Sequence, residues 1–171
     1  MDLKISIRSQ LYALRELSII SAVYIFCMYF LYVKTEFDLF KILFLSTFVF
    51  YFLVLLLPVL ILHVNYLCNQ HKNIKIEYDM LIVDDRIYSG SDIDRINVFA
   101  SYQHFNDSVG VTALPYNDYY YYLEICLKDG KQINLSSLID YKIDEIIKKN
   151  LQSVNVVEQP STFLSLLIKK A

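Results

Sequence analysis

The sequence predicts a membrane-anchored α+β protein: a two-helix transmembrane hairpin, then an antiparallel sheet capped by a C-terminal helix. Three observations carry this. Two long uncharged apolar runs lie within the first 70 residues. From Asn73 onward, period-2 alternation and turn residues replace them. A single amphipathic helical pattern then follows the last clear strand. The expected division is 1–70 for an N-terminal segment and hairpin, with spans at about 14–33 and 42–65, and 71–171 for a cytoplasmic domain with its C-terminal helix and tail.

The apolar runs come first. "LSIISAVYIFCMYFLYV", Leu17 to Val33, is 17 residues without a charge, and the run from Ile42 stays uncharged for longer. A helix needs about 20 apolar residues to cross the hydrocarbon core. The first run is bulky to its end, and Lys34, Thr35 and Glu36 follow it instead of a small-residue cleavage site, so a signal peptide is disfavoured. The connector "KTEFDLFK" is short, which places both termini on one side. Lys4, Arg8, Arg15, Lys72 and Lys75 flank the termini, against Lys34 and Lys41 in the connector. The basic excess predicts cytoplasmic termini. Pro58 should kink or locally open the second helix. Neither the run from Leu17 to Val33 nor the uncharged run that starts at Ile42 carries an Asp, Glu, Lys or Arg, which argues against an ion path or proton relay.

Composition agrees. Of 171 residues, 56% are hydrophobic and 20% charged, with a net charge of −2, so nothing points to nucleic acid. Mean hydropathy is +0.37. Three widely spaced cysteines, Cys27, Cys68 and Cys126, read as free thiols in a reducing compartment.

The domain follows element by element. "NIKIEY" alternates with Ile74, Ile76 and Tyr78 on one face. "DMLIVDD" and "RIYSG" supply two short strands, and "DIDRINVFAS" alternates with Ile96, Val98 and Ala100 on one face. The stretch around Gly110 and Pro115 reads as a looser connection with a strand near Val109 to Ala113. In "DYYYYLEICL", alternation sends Tyr119, Tyr121, Leu123, Ile125 and Leu127 to the core and Tyr120, Tyr122, Glu124, Cys126 and Lys128 outward. Asp129-Gly130 predicts a type I′ hairpin turn into "KQINL". Ser136 or Ser137 is the expected cap of a helix over "SLIDYKIDEIIKKN", whose isoleucines recur at three- and four-residue steps. The tail beyond Pro160, with Phe163, Leu164, Leu166, Leu167 and Ile168, is expected to pack on the domain.

These residues resemble a known family. Two spans, then strands and one final helix, are similar to the bacterial pleckstrin-homology-like (PH-like) membrane proteins. Tyr88, Ser89, Ser91, Ile93 and Ile96 in "LIVDDRIYSGSDIDRINVF" carry the resemblance, together with the closing "LKDGKQINLSSLIDYKIDEIIKKNL". The resemblance implies a PH-like, strongly bent antiparallel sheet closed at one end by the helix. It implies no ligand, because "EYDMLIVDDR" is acidic where phosphoinositide-binding relatives carry a basic cluster.

Candidate chemistry is sparse. His63, Cys68 and His71 offer three metal-ligand types without a fourth, and Asp84, Asp85, Asp92 and Asp94 lack calcium-loop spacing, so no metal and no cofactor is expected. His104 near Ser101 and Asp107 is too local to define a triad, and no catalytic motif stands out. The expectation is a non-enzymatic protein whose cytoplasmic domain mediates protein–protein interaction. Tyr120, Tyr122 and Glu124 are the interface candidates, because exposed tyrosines often anchor interfaces. The partners are the lipid bilayer and an unidentified protein, and homo-oligomer formation is left open. Two alternatives fit the same pattern: a bacterial immunity protein against a membrane-acting toxin, and an accessory subunit of a membrane transport or secretion assembly.

Overall fold

The computed structural model describes residues 2–71, 73–105, 119–161 and 163–168. The strand expected near Val109–Ala113 lies outside them.

The chain opens with a short strand, β1 (Asp2–Leu3), and a short helix, α1 (Ile7–Ala13). A Ser6–Ser9 capping box starts α1 by satisfying its first amides. Leu14 ends α1 and begins α2 (Arg15–Lys34). After Thr35 and Glu36 the chain returns through α3 (Phe37–Phe50), a π-helical segment (Tyr51–Leu56) and α4 (Leu57–Asn69). The expected connector is thus reduced to two residues. Pro58 stands at the start of α4, and the π-helical turns lie just upstream, where its ring and missing N–H disturb the ladder. Both long helices have the length and composition to cross a membrane. Only 6% of the most apolar window of α2, and 11% of that of the second helix, is buried. A polar seam joins them: Tyr51 Oη lies 2.5 Å from Ser21 Oγ and its ring stacks on Tyr24.

Two four-stranded sheets follow. The first has the order β1-β2-β3-β4, with β2 (Ile74–Glu77), β3 (Met80–Val83) and β4 (Arg86–Ser89), all antiparallel. Its first strand therefore precedes the apolar helices, and Leu3 is buried in the same core as Ile74 and Ile76. Asp84 and Asp85, both with positive φ, turn β3 into β4. Tyr78 leaves the face that alternation would have it share with Ile74 and Ile76 and lies exposed in the β2–β3 turn. Gly90 begins a 3-10 turn pressed against that turn, and a Cβ there would strike the Asp79 carboxylate and the Ser153 hydroxyl.

The second sheet has the order β7-β6-β5-β8, with β5 (Ile93–Ala100), β6 (Tyr122–Leu127), β7 (Gln132–Ser136) and β8 (Asn155–Pro160). β8 runs parallel to β5, a strand hidden in what the sequence pattern presents as tail. The β6–β7 connection runs over four residues, Lys128 to Lys131, and is not the expected type I′ turn. Gly130 alone has positive φ (85°), and its N–H bonds the Leu127 carbonyl. A short helix, α5 (Tyr102–Phe105), follows β5.

The last helix also starts later than expected. α6 spans Ile143–Asn150, and the Asp140 carboxylate, not Ser136 or Ser137, takes the N–H of Lys142 at its entrance. Both serines are instead buried beside β6 and α4. Ile143, Ile147 and Leu151 close the barrel over Ile96, Leu123, Ile125 and Leu135.

Candidate functional site: an aromatic junction between helix and sheet

The four tyrosines divide differently from the simple alternation. Tyr121, Leu123, Ile125 and Leu127 enter the barrel core as expected. Tyr120 and Tyr122 do face the other way, but that side is covered: Tyr120 is fully buried and Tyr122 is 6% exposed. Tyr119 joins them and not the barrel. The expected exposure of Tyr120 and Tyr122 is thereby corrected. The face opposite the barrel core is occupied by the end of α4, by α1 and by the C-terminal tail, all from the same chain. Glu124, the third candidate, is half-buried and accepts a hydrogen bond from Asn97 Nδ2 at 3.0 Å.

Four side chains near the end of α4 make the joint. His63 Nδ1 lies 3.1 Å from Tyr120 Oη, deep in the interface. The Tyr66 ring meets Tyr120 and Tyr122 edge-on, at 5.6 and 6.3 Å between centroids. Gln70 Oε1 accepts the backbone N–H and the hydroxyl of Ser136 at the end of β7, at 2.8 and 2.7 Å. Asn65 grips the tail from both sides: its amide donates to the Ile168 carbonyl (3.2 Å) and its carbonyl accepts the Ile168 N–H (2.8 Å). Leu166 and Ile168 are buried beneath that clasp. Aromatic contacts extend to Phe99, stacked on Tyr122, and to Tyr12 and Tyr141 around Tyr119.

A second polar knot lies on the barrel side. The Tyr121 hydroxyl donates toward Asp144 Oδ1 (2.8 Å) and the Tyr141 carbonyl (2.6 Å), while His104 Nε2 stands 3.5 Å from Asp144 Oδ2. Burial opposes the Asp144 charge, but hydrogen bonds from His104 and Tyr121 outweigh it and hold the carboxyl below its ordinary range. Burial pushes the tyrosine hydroxyls up, to about 12 for Tyr119 and Tyr122 and further for Tyr120, beside Tyr119, and for Tyr121, where Asp144 adds to the effect. The Cys126 thiol is likewise raised by burial and by Glu124. Groups held neutral in this way suit packing and hydrogen bonding better than proton transfer or nucleophilic attack.

The metal-ligand types from the sequence do not converge. His63 is taken by Tyr120, Cys68 is exposed, and His71 pairs with Asp84 at 2.8 Å. Asp92 accepts the Ser89 N–H at the 3-10 turn. The joint residues Asn65, Tyr66 and Gln70 escape a motif-based reading. Their signal is weak but present: His63, Tyr66 and Gln70 recur at three- and four-residue steps at the end of an apolar helix, marking one face that carries polar groups.

Two antiparallel-rich sheets closed by a C-terminal helix define an α+β fold of the PH-like class. The chain belongs to the PH-domain family, whose model, described as PH domain, matches residues 3–149. That match begins in β1 and takes in both apolar helices, while β8 and the tail lie beyond it. Neither the curated proteins nor the solved structures yield a match.

Proposed function

We propose that this chain is a non-enzymatic membrane protein whose hairpin holds a PH-like domain at the cytoplasmic face of a bacterial inner membrane, where the domain binds another protein. The observation that carries this reading is the contrast in burial within one chain. The domain hides its apolar side chains in two cores, while α2 and α3 leave theirs exposed along their length. Exposed apolar helices of this length call for lipid. Because β1 pairs with β2 on either side of the hairpin, both ends of the hairpin return to the same sheet. The four ties from α4 then fix the domain's orientation relative to the helices.

With Tyr120 and Tyr122 covered, the surface best suited to a partner is the outer side of the first sheet. Met80 and Ile87 are exposed there, with Tyr78 at the adjoining turn, and β4 is an edge strand. The test combines fractionation with crosslinking. The chain should stay in the membrane pellet after alkaline carbonate extraction. A photoreactive residue at Ile87 should give a discrete heavier adduct that the same residue at Lys149 does not. Release into the supernatant would sink the anchor, and identical patterns at both positions would sink the binding surface.

A further inference from the structure

The helix α1 presents two unrelated faces. On one, Ala13 is buried and Tyr12 packs against Tyr119 and Tyr141, so this side is fixed to the domain. On another, Ile7 and Leu11 stand one turn apart and are 78% and 67% exposed. At 100° per residue, Arg8 lies along one side of this apolar pair and exposed Lys4 lies just upstream, while Arg15, the first residue of α2, sits over the Tyr12 ring and beside Glu16. No acidic residue occurs between Leu3 and Arg15. The Ser6–Ser9 capping box meets amides that a helix of seven residues would otherwise leave open. Leu14 links α1 directly to α2, the first apolar helix.

We propose that α1 is an in-plane membrane helix, lying in the headgroup–acyl boundary of the leaflet next to the domain. Ile7 and Leu11 enter the lipid there, and Lys4 and Arg8 meet phospholipid phosphates. Two features commit the face to lipid in preference to a protein. It is joined through Leu14 to α2, whose side chains are apolar and largely exposed, and an exposed apolar pair with Lys4 and Arg8 along one side matches the chemistry of that boundary. The helix then acts as a collar: one side touches the bilayer, and the other touches Tyr119 of the aromatic junction.

This inference rests on the membrane reading above, and the experiment separates the two. The chain contains no tryptophan, so a single introduced one is the only indole. The full chain carrying Leu11→Trp, Ile7→Trp or Phe26→Trp is reconstituted in phosphatidylcholine–phosphatidylglycerol nanodiscs with lipids brominated near the headgroup or deep in the chain. Phe26 sits exposed in mid-α2 and reports the anchor. Deep bromines should quench Phe26→Trp several-fold more than shallow ones. Shallow bromines should quench Leu11→Trp and Ile7→Trp preferentially, with blue-shifted emission. If Phe26→Trp is not quenched, the anchor reading itself fails. If it is quenched while the α1 positions emit as in water, the collar fails alone. Blue-shifted emission at α1 that no bromine quenches would mean that protein covers this face, which also overturns the proposal.

Discussion

Leu123 and Tyr122 are neighbours in β6 and both are buried, yet they enter different cores. Leu123 meets aliphatic side chains from both sheets and α6, where the only requirement is to exclude water. Tyr122 meets Tyr66, Phe99 and the tail, where rings must fit edge to face and hydroxyls need acceptors. The barrel core holds the domain to itself. The junction core holds the domain to the apolar helices. One strand serves both, because a pleated strand shows alternate residues to opposite sides. A covered second face is thus as much a part of this fold as the first.

The difference is sharpest when each core is cut. Leu123→Ala removes a fully buried side chain from the centre of the barrel. It should cost about 2–5 kcal/mol and lower the unfolding midpoint of the whole domain. Denaturation of the full chain in micelles, followed by tyrosine near-UV circular dichroism, measures it. A loss under about 1 kcal/mol would mean that the barrel is not the cooperative centre.

Asp144 gives the barrel side a pH signature. Its folded carboxyl lies below the ordinary value of 3.8. Its contribution is therefore present above that value and is lost as pH falls through the lower folded one. Asp144→Asn should lose stability at neutral pH and show a shallower acid decline than the parent below about pH 4. Parallel acid limbs in the two proteins would count against the His104–Asp144–Tyr121 knot. The hydrogen bonds that His63, Asn65 and Gln70 make at the junction involve no carboxylate, so variants at these positions should keep the parent's acid limb.

These contrasts also explain what the sequence shows plainly and what it hides. Ile74, Ile76, Ile96, Val98, Leu123 and Ile125 announce their burial by alternation, and all are in the barrel core. α2 and the long second helix are visible from charge-free length alone. β1 is not visible, because two residues carry no period; only pairing with Ile74 and Lys75 makes Asp2 and Leu3 a strand. β8 is missed because Glu158, Gln159 and Pro160 look like tail, yet its partner β5 supplies the ladder. Tyr120 and Tyr122 read as outward because alternation reports a side, not whether another element covers it. The covering residues, His63, Tyr66 and Asn65, come from over 50 positions earlier in the chain.

The tail clasp is a smaller cut on the junction side. Asn65→Ala removes both hydrogen bonds to Ile168 and should cost about 1–2 kcal/mol. The effect should be local. Hydrogen exchange at Ile168 should rise while β6 amides keep their protection, and equal acceleration in both would mean that the tail and barrel unfold as one unit.

The smallest effect carries the opposite sign. Tyr66 is fully buried, and its hydroxyl has no hydrogen-bond partner among the described residues, whereas the Tyr120 hydroxyl meets His63. A buried hydroxyl left unpaired costs free energy that phenylalanine would not incur, while the ring contacts to Tyr120 and Tyr122 would survive the change. Tyr66→Phe should therefore leave stability unchanged or raise it by up to about 1 kcal/mol, and Tyr120→Phe should lower it by about the same amount. Measured side by side, the pair separates ring packing from hydrogen bonding in one interface. If Tyr66→Phe proves as costly as Tyr120→Phe, the Tyr66 hydroxyl has a partner in solution, and the junction's polar contacts extend beyond the His63–Tyr120, Gln70–Ser136 and Asn65–Ile168 pairs.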